Sequence, residues 1–262
     1  MSETFFCNQS YIPVRMQPSE TAELQTQILF GELYSVIDST EKWSHIKIEN
    51  DKAEGWINSK LLEPVEDEQL GRLLSMERRI SSRPLDFVIV DGQWQLPLPA
   101  GAVLYGHGPN YNIEIGQHLY SHYSDNQFIT NKQLALTSLA ESFVGSPYLW
   151  GGKTMLGIDC SGLTQVLFST IGIQLPRNAS QQAVVGQPVP FVGEAQSCDL
   201  AFFDNEDGNI VHVGMILDSG RIIHASYGRV RIDVIDHQGI FNRDINNYTH
   251  KLRLINRVII NG

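Results

Sequence analysis

Three side chains of this chain could together carry out nucleophilic chemistry: Cys160, His212 and His224. A thiol becomes a nucleophile when a base takes its proton, and the base works best when a third polar group orients it. Cys160 follows Asp159 and opens a segment in which Leu163, Val166, Leu167 and Ile171 recur at helical spacing. Asp159 is a good N-cap for that helix. At a helix start, unpaired backbone N–H groups and the positive end of the dipole favour a thiolate, so position alone is expected to lower the pKa of Cys160. An isolated cysteine is more often a small buried hydrophobe, and a lone strand histidine more often a hydrogen-bonded core residue. The combination shifts the reading toward catalysis. The same trio has the chemistry of zinc ligands, although zinc explains neither Asp159 nor Ser161-Gly162.

The two histidines need a scaffold that aims them together. Residues 210–217 alternate so that His212 shares a face with Gly214, while Val211, Val213, Met215 and Leu217 face the other way. Along residues 221–226, His224 shares a face with Ile222 and Ser226, and Asp218-Ser219-Gly220 reads as the hairpin turn between the two strands. If Leu217 pairs with Arg221 across a three-residue loop, Gly214 lies opposite His224 and both imidazoles project from one face. A two-residue loop would put them on opposite faces, so an odd loop is predicted.

Around these strands the rest of the chain falls into segments. Residues 131–144 read as an amphipathic helix through Leu136, Leu139, Ala140 and Phe143, and Gly172 as the terminator of the nucleophile helix. Strands are predicted at 200–203, 210–217, 221–226, 229–235 and 252–260. Helices followed by an antiparallel run give an α+β domain over 131–262. Upstream, residues 31–38, 43–48 and 54–57 alternate between polar turns, which points to a small barrel over 1–65. A charged stretch with Leu70, Leu73 and Leu74 follows as a short helix or link. Strand signals then resume at 85–90, 93–98, 101–105 and 112–120, and residues 66–130 read as a second, degraded barrel.

The chain has 262 residues, a formal net charge of -10 and three cysteines. That charge opposes general binding to nucleic acid or anionic lipid, both of which need a positive field. The cysteines are odd in number, widely separated and without a C-x-x-C pair, which suits neither a disulfide framework nor a zinc knuckle. The N-terminus lacks a secretory signal pattern and no stretch reaches the length of a membrane span. A cytoplasmic protein without membrane partner, metal or cofactor is expected.

The segments Pro147-Tyr148-Leu149-Trp150-Gly151-Gly152 and Asp159-Cys160-Ser161-Gly162-Leu163 resemble the nucleophile motif of the NlpC-type cysteine peptidases, bacterial hydrolases of cell-wall peptides with a papain-like fold. The His-Val-Gly run at 212–214, the apolar-apolar-His run at 222–224, and Asp199-Leu200-Ala201-Phe202-Phe203 are similar to further motifs of that family. Cys198 stands where the family commonly has glycine. Leu175-Pro176-Arg177-Asn178-Ala179-Ser180 resembles a family Leu-Pro-Arg-Asp-Ala-Ser segment, with Asn178 for the aspartate. Residues 43–57, a tryptophan strand, a turn and Gly-Trp-Ile, resemble bacterial SH3-like domains fused to such hydrolases.

The resemblance implies roles and a substrate. Cys160 would be the nucleophile, His212 the base and His224 its orienter, with Tyr148 assisting the backbone N–H of Cys160 at the oxyanion. The arrangement of an NlpC-type domain behind SH3-like barrels is similar to murein-peptide recycling enzymes, which cut between γ-D-glutamate and a diamino acid in peptides with a free N-terminal L-alanine. By that likeness Asp159, Ser161 and Ser180 would meet the peptide amine, together with an acid of the first barrel, for which Glu54 is the candidate. Two other readings stay open on the sequence: acyl transfer by a member of the same superfamily, and a non-enzymatic protein that binds cell-wall peptides.

Overall fold

The computed structural model describes residues 3–107, 109–123 and 131–259. The end of the second predicted barrel and Ile260, the last residue of the final predicted strand, lie outside the described residues. The described chain divides into two compact units, one reaching residue 123 and including Gly151–Met155, the other holding 131–150 and everything after Met155.

The first unit begins with strands β1 (Thr4–Phe6), β2 (Tyr11–Arg15), β3 (Leu24–Leu29), β4 (Leu33–Ser39), β5 (Trp43–Ile48), β6 (Glu54–Asn58) and β7 (Pro64–Val65). They form one antiparallel sheet in the order β3-β2-β6-β5-β4-β1-β7. The alternation in β5 follows from its sequence, because Ser44, Ile46 and Ile48 turn inward while Trp43, His45 and Lys47 are half-exposed. The core of this sheet gathers Phe5, Cys7, Ile12, Val14, Ile28, Tyr34, Ile46, Ile48 and Ile57.

Helix α1 (Asp67–Ser75) then leads into β8 (Glu77–Ile80), β9 (Leu85–Val90), β10 (Trp94–Pro99), β11 (Val103–Gly106), β12 (Asn110–Ile115) and β13 (His118–Tyr123). The single strand predicted over 112–120 is in fact a hairpin, since Gly116 takes a positive φ of 57° and reverses the chain between β12 and β13. The core beneath these strands includes Phe6 of β1, Phe30 in the turn after β3 and Val65 of β7 beside Val88, Val90, Leu98 and Tyr120. The two predicted segments therefore share one apolar core across residue 65. The short strand β14 (Lys153–Thr154) also belongs to this unit, and the buried Lys153 ammonium lies 3.3 Å from the buried Glu32 carboxylate.

The second unit is α+β. Helix α2 (Lys132–Ser142) is capped by Asn131, whose side chain accepts from the Leu134 N–H at 3.0 Å. After β15 (Gly157–Ile158) come α3 (Cys160–Ser169) and the short α4 (Ala179–Gln182). Gly172, with φ of 84°, lies just past α3, where a left-handed residue ends a helix cheaply. The strands are β16 (Gln187–Val189), β17 (Leu200–Asp204), β18 (Ile210–Asp218), β19 (Arg221–Ser226), β20 (Arg229–Ile235), β21 (Gly239–Asn242) and β22 (Asn247–Arg257). They pair in the order β16-β22-β17-β18-β19-β20-β21, and β21 pairs back onto β22, so six strands close into a ring. A ring has no free edge from β17 to β22. α3 packs against β18 and β19. Ala201, Phe203, Ile216, Ile222, Ile235, Ile240 and Ile255 form an apolar cluster among the strands.

Candidate active site

Cys160 is the first residue of α3, and Asp159 caps that helix by accepting from the Gly162 N–H at 2.7 Å. The thiol is buried, with the backbone N–H groups of Ser161 and Val213 donating toward sulfur. Val213 directly follows His212, so α3 and β18 bring the thiol and the first imidazole to neighbouring positions. The predicted lowering of the thiol pKa does not hold. Burial pushes Cys160 up to about 12 and the Asp159 charge adds to it, against the two backbone hydrogen bonds and Arg177. Burial likewise holds His212 well below the usual imidazole value, helped by the neighbouring rings of His224 and His250. Burial thus works against the charged form of each group, the thiolate and the imidazolium alike.

The strand register brings the histidines together by a different route from the one predicted. Asp218 pairs with Arg221 across a two-residue turn, but the register shifts between Ile216 and Asp218, so Leu217 is bulged. Met215 then pairs with Ile223 and Ile216 with Ile222, and the same register sets Gly214 opposite His224. The loop is even and the bulge restores the parity. His212 Nε2 and His224 Nδ1 lie 2.8 Å apart, both rings buried. Gly214 makes room for this, since a Cβ there would sit 2.7 Å from Ile222 Cδ1 and 3.0 Å from His224 Cβ.

Sequence reasoning missed Asp233. Its Oδ2 lies 3.0 Å from His224 Nε2, and its Oδ1 accepts from Arg231 Nη2 at 2.9 Å. Burial pushes this carboxyl up, but hydrogen bonds and charge from His224 and Arg231 outweigh that and leave it below the ordinary aspartate range. No local signal marks it, because an aspartate between Ile232 and Val234 reads as the outward residue of an alternating strand, whereas in β20 it is Asp233 that is buried and its neighbours that are half-exposed. The turn between β19 and β20 was legible, because Tyr227 and Gly228, with φ of 51° and 84°, form a two-residue reversal that pairs Ser226 with Arg229.

His250 stacks on His212 with ring centroids 4.1 Å apart and planes at 25°. Among the described residues, His212, His224 and His250 have ligand atoms within 4.8 Å of one another. Cys160 is not part of that group, so the zinc trio considered on the sequence does not converge.

The other predicted residues fall as follows. Tyr148 is half-buried, and burial with the charges of Cys160 and Asp159 pushes its hydroxyl to about 12, so it remains a donor near neutral pH. Asp159 and Ser161 are buried and both engaged by Arg177, whose Nη1 donates to Asp159 Oδ1 at 3.0 Å and to the Ser161 hydroxyl at 2.9 Å. Ser180 is exposed on α4, and the buried Gln182 instead links that helix to α3, donating to the Ser161 carbonyl at 3.0 Å. Glu54 lacks the burial expected of an amine-binding acid. It is exposed on β6 and pairs with Lys47 across the sheet at 2.9 Å, which lowers its pKa. Cys198 has a φ of 72°, the left-handed conformation that explains a glycine preference at that place.

Comparison with known proteins assigns two segments of the chain. Residues 145–248 match the NlpC/P60 family and residues 14–62 match the bacterial dipeptidyl-peptidase Sh3 domain. The chain carries an NlpC/P60 domain behind a bacterial SH3 domain. The NlpC/P60 domain places the chain among cysteine peptidases. The chain is 27% identical to the gamma-D-glutamyl-L-lysine dipeptidyl-peptidase of Bacillus subtilis (strain 168) over 233 residues, 81% of this chain and 75% of that protein. Its 32% identity to the protein of the same name from Bacillus cereus (strain ATCC 10987) extends over 43% of this chain and about a third, 34%, of the relative. The fold is similar to the crystal structure of an NlpC/P60 family protein from Bacillus cereus ATCC 10987, with a TM-score of 0.81 at 20% identity, covering 97% of this chain and 99% of the other. Among the described residues no helix is long and apolar enough to cross a membrane.

Proposed function

We propose that the chain hydrolyses the γ-D-glutamyl–L-diamino acid bond of murein peptides through a Cys160 acyl-enzyme. The 2.8 Å contact between His212 Nε2 and His224 Nδ1 carries this reading, because it occupies one nitrogen of His212 and leaves Nδ1 for the thiol. The Cys160 proton passes to His212 Nδ1 as sulfur attacks the amide carbon. The developing oxyanion takes hydrogen bonds from the backbone N–H of Cys160 at the start of α3 and from the Tyr148 hydroxyl. His212 returns the proton to the leaving amine, and water attacking the thioester restores the thiol. His224 holds the base in place throughout.

The bond and the diamino acid come from the names of the two Bacillus relatives. Residues 66–130 are proposed as a second SH3-like barrel between the SH3 domain and a catalytic domain that opens at residue 131. Three free, buried cysteines fit a reducing compartment, and the proposed role is cytoplasmic recycling of released peptides. A free N-terminal L-alanine is the proposed recognition feature. Asp159, Ser161 and Ser180 are its proposed contacts within the catalytic domain. The Asp159 charge is already met by Arg177, so the amine requires a further acid. Glu54 is the candidate from the SH3 domain, and Lys47 already competes for it.

Parallel assays of free and N-acetylated L-Ala-γ-D-Glu-L-Lys test the selectivity. A free amine matched to an acid gives at least a hundredfold preference in kcat/KM, since acetylation leaves that acid unpaired. Equal turnover would remove amine recognition from the proposal.

A further inference from the structure

We propose that Asp233 is a positioning residue that dictates which ring nitrogen of His212 is free to receive the Cys160 proton. The inference rests on the Cys160 and His212 roles above and adds a fourth member to them. Each step follows from donor and acceptor counting. An ionised carboxylate only accepts, so His224 must carry its proton on Nε2, facing Asp233 Oδ2 at 3.0 Å. Neutral His224 then presents a bare Nδ1, which also only accepts. His212, 2.8 Å away, must therefore carry its proton on Nε2, leaving Nδ1 as the lone pair that can act as a base. Reversing the first bond reverses all of them: a donor at Asp233 would put the His212 proton on Nδ1, where it cannot take another.

The surroundings keep Asp233 in the accepting state. Its side chain is 4% exposed, and Arg231 donates to its Oδ1 at 2.9 Å while also meeting Asn242 at 3.1 Å and Asp244 at 2.9 Å. The guanidinium is itself fixed by strands β20 and β21 and the residues just after them. His224 pairs with Arg231 and Ile222 with Asp233 between β19 and β20, so Asp233 lies diagonal to His224 on the same face. His224 is fully buried, which leaves water no part in choosing its tautomer.

The test combines Asp233→Asn, which removes the obligatory acceptor at nearly constant shape, with Asp233→Glu, which keeps it. Long-range 1H–15N correlation on histidine-labelled full-length protein reads both rings directly, without substrate. The wild type is expected to show His212 and His224 protonated on Nε2. D233N is expected to populate the Nδ1–H forms and lose roughly 10²–10⁴-fold in kcat with KM little changed, in line with tautomer loss in serine-type triads. D233E is expected to recover the Nε2–H forms and at least tenfold of the lost kcat. A wild-type His212 protonated on Nδ1, or a folded D233N with unchanged tautomers and kcat within twofold, would overturn the role of Asp233. Failure of the underlying peptidase reading shows separately, as Cys160→Ala retaining hydrolysis.

Discussion

At the scale of the residue, the central point is that burial works against the charged form of Cys160. Backbone hydrogen bonds from Ser161 and Val213 and the Arg177 charge draw its pKa down, but burial beside the Asp159 carboxylate outweighs them. The same burial disfavours a charged His212. Alkylation by iodoacetamide is expected to be slow at pH 7 relative to free cysteine and to keep rising through pH 9, where an ordinary thiol near pKa 8.5 levels off. A flat, fast rate from pH 5 to pH 8 would show a resting thiolate–imidazolium pair instead. Removing Arg177 would be costly for a different reason, because it strands the buried Asp159 charge, a loss of about 3–5 kcal/mol for such pairs.

At the scale of the element, the site depends on small backbone devices. Cys160, Asp159 and His212 could be read from type and spacing, since a cap, a helix start and strand alternation are local features. The face shared by His212 and His224 was also legible, but its cause was not. Parity came from the Leu217 bulge and a two-residue turn rather than from a three-residue loop, and no residue type in 216–221 distinguishes those two solutions. Asp233 and His250 were overlooked because their partners are reached through sheet pairing, β20 on β19 and β22 on β21 and β17. Pairing of that kind is invisible to a pattern read one strand at a time. Gly214 is the element-level test. In Gly214→Val the new side chain meets Ile222 and the Cβ of His224, so β18 and β19 must separate where the two imidazoles hydrogen-bond. A loss of about 1–3 kcal/mol in urea unfolding and more than tenfold in kcat is expected. Wild-type kcat in that variant would show that the close approach is not needed.

At the scale of the whole molecule, an α+β unit with a closed strand ring carries the nucleophile helix, and an antiparallel SH3-type sheet shares a second apolar core with the strands that follow it. The sequence supported the α+β class and the first sheet through periodicity. Ring closure was hidden, because β21 is four residues long and β22 begins five residues before the predicted strand. The net charge of -10 opposes general binding to polyanions. The most direct measurement is mass spectrometry of L-Ala-γ-D-Glu-L-Lys after incubation with the wild-type chain and with Cys160→Ala. The expected result is L-Ala-γ-D-Glu and free lysine from the wild type and intact tripeptide from the variant. Equal product from both would contradict the Cys160 acyl-enzyme.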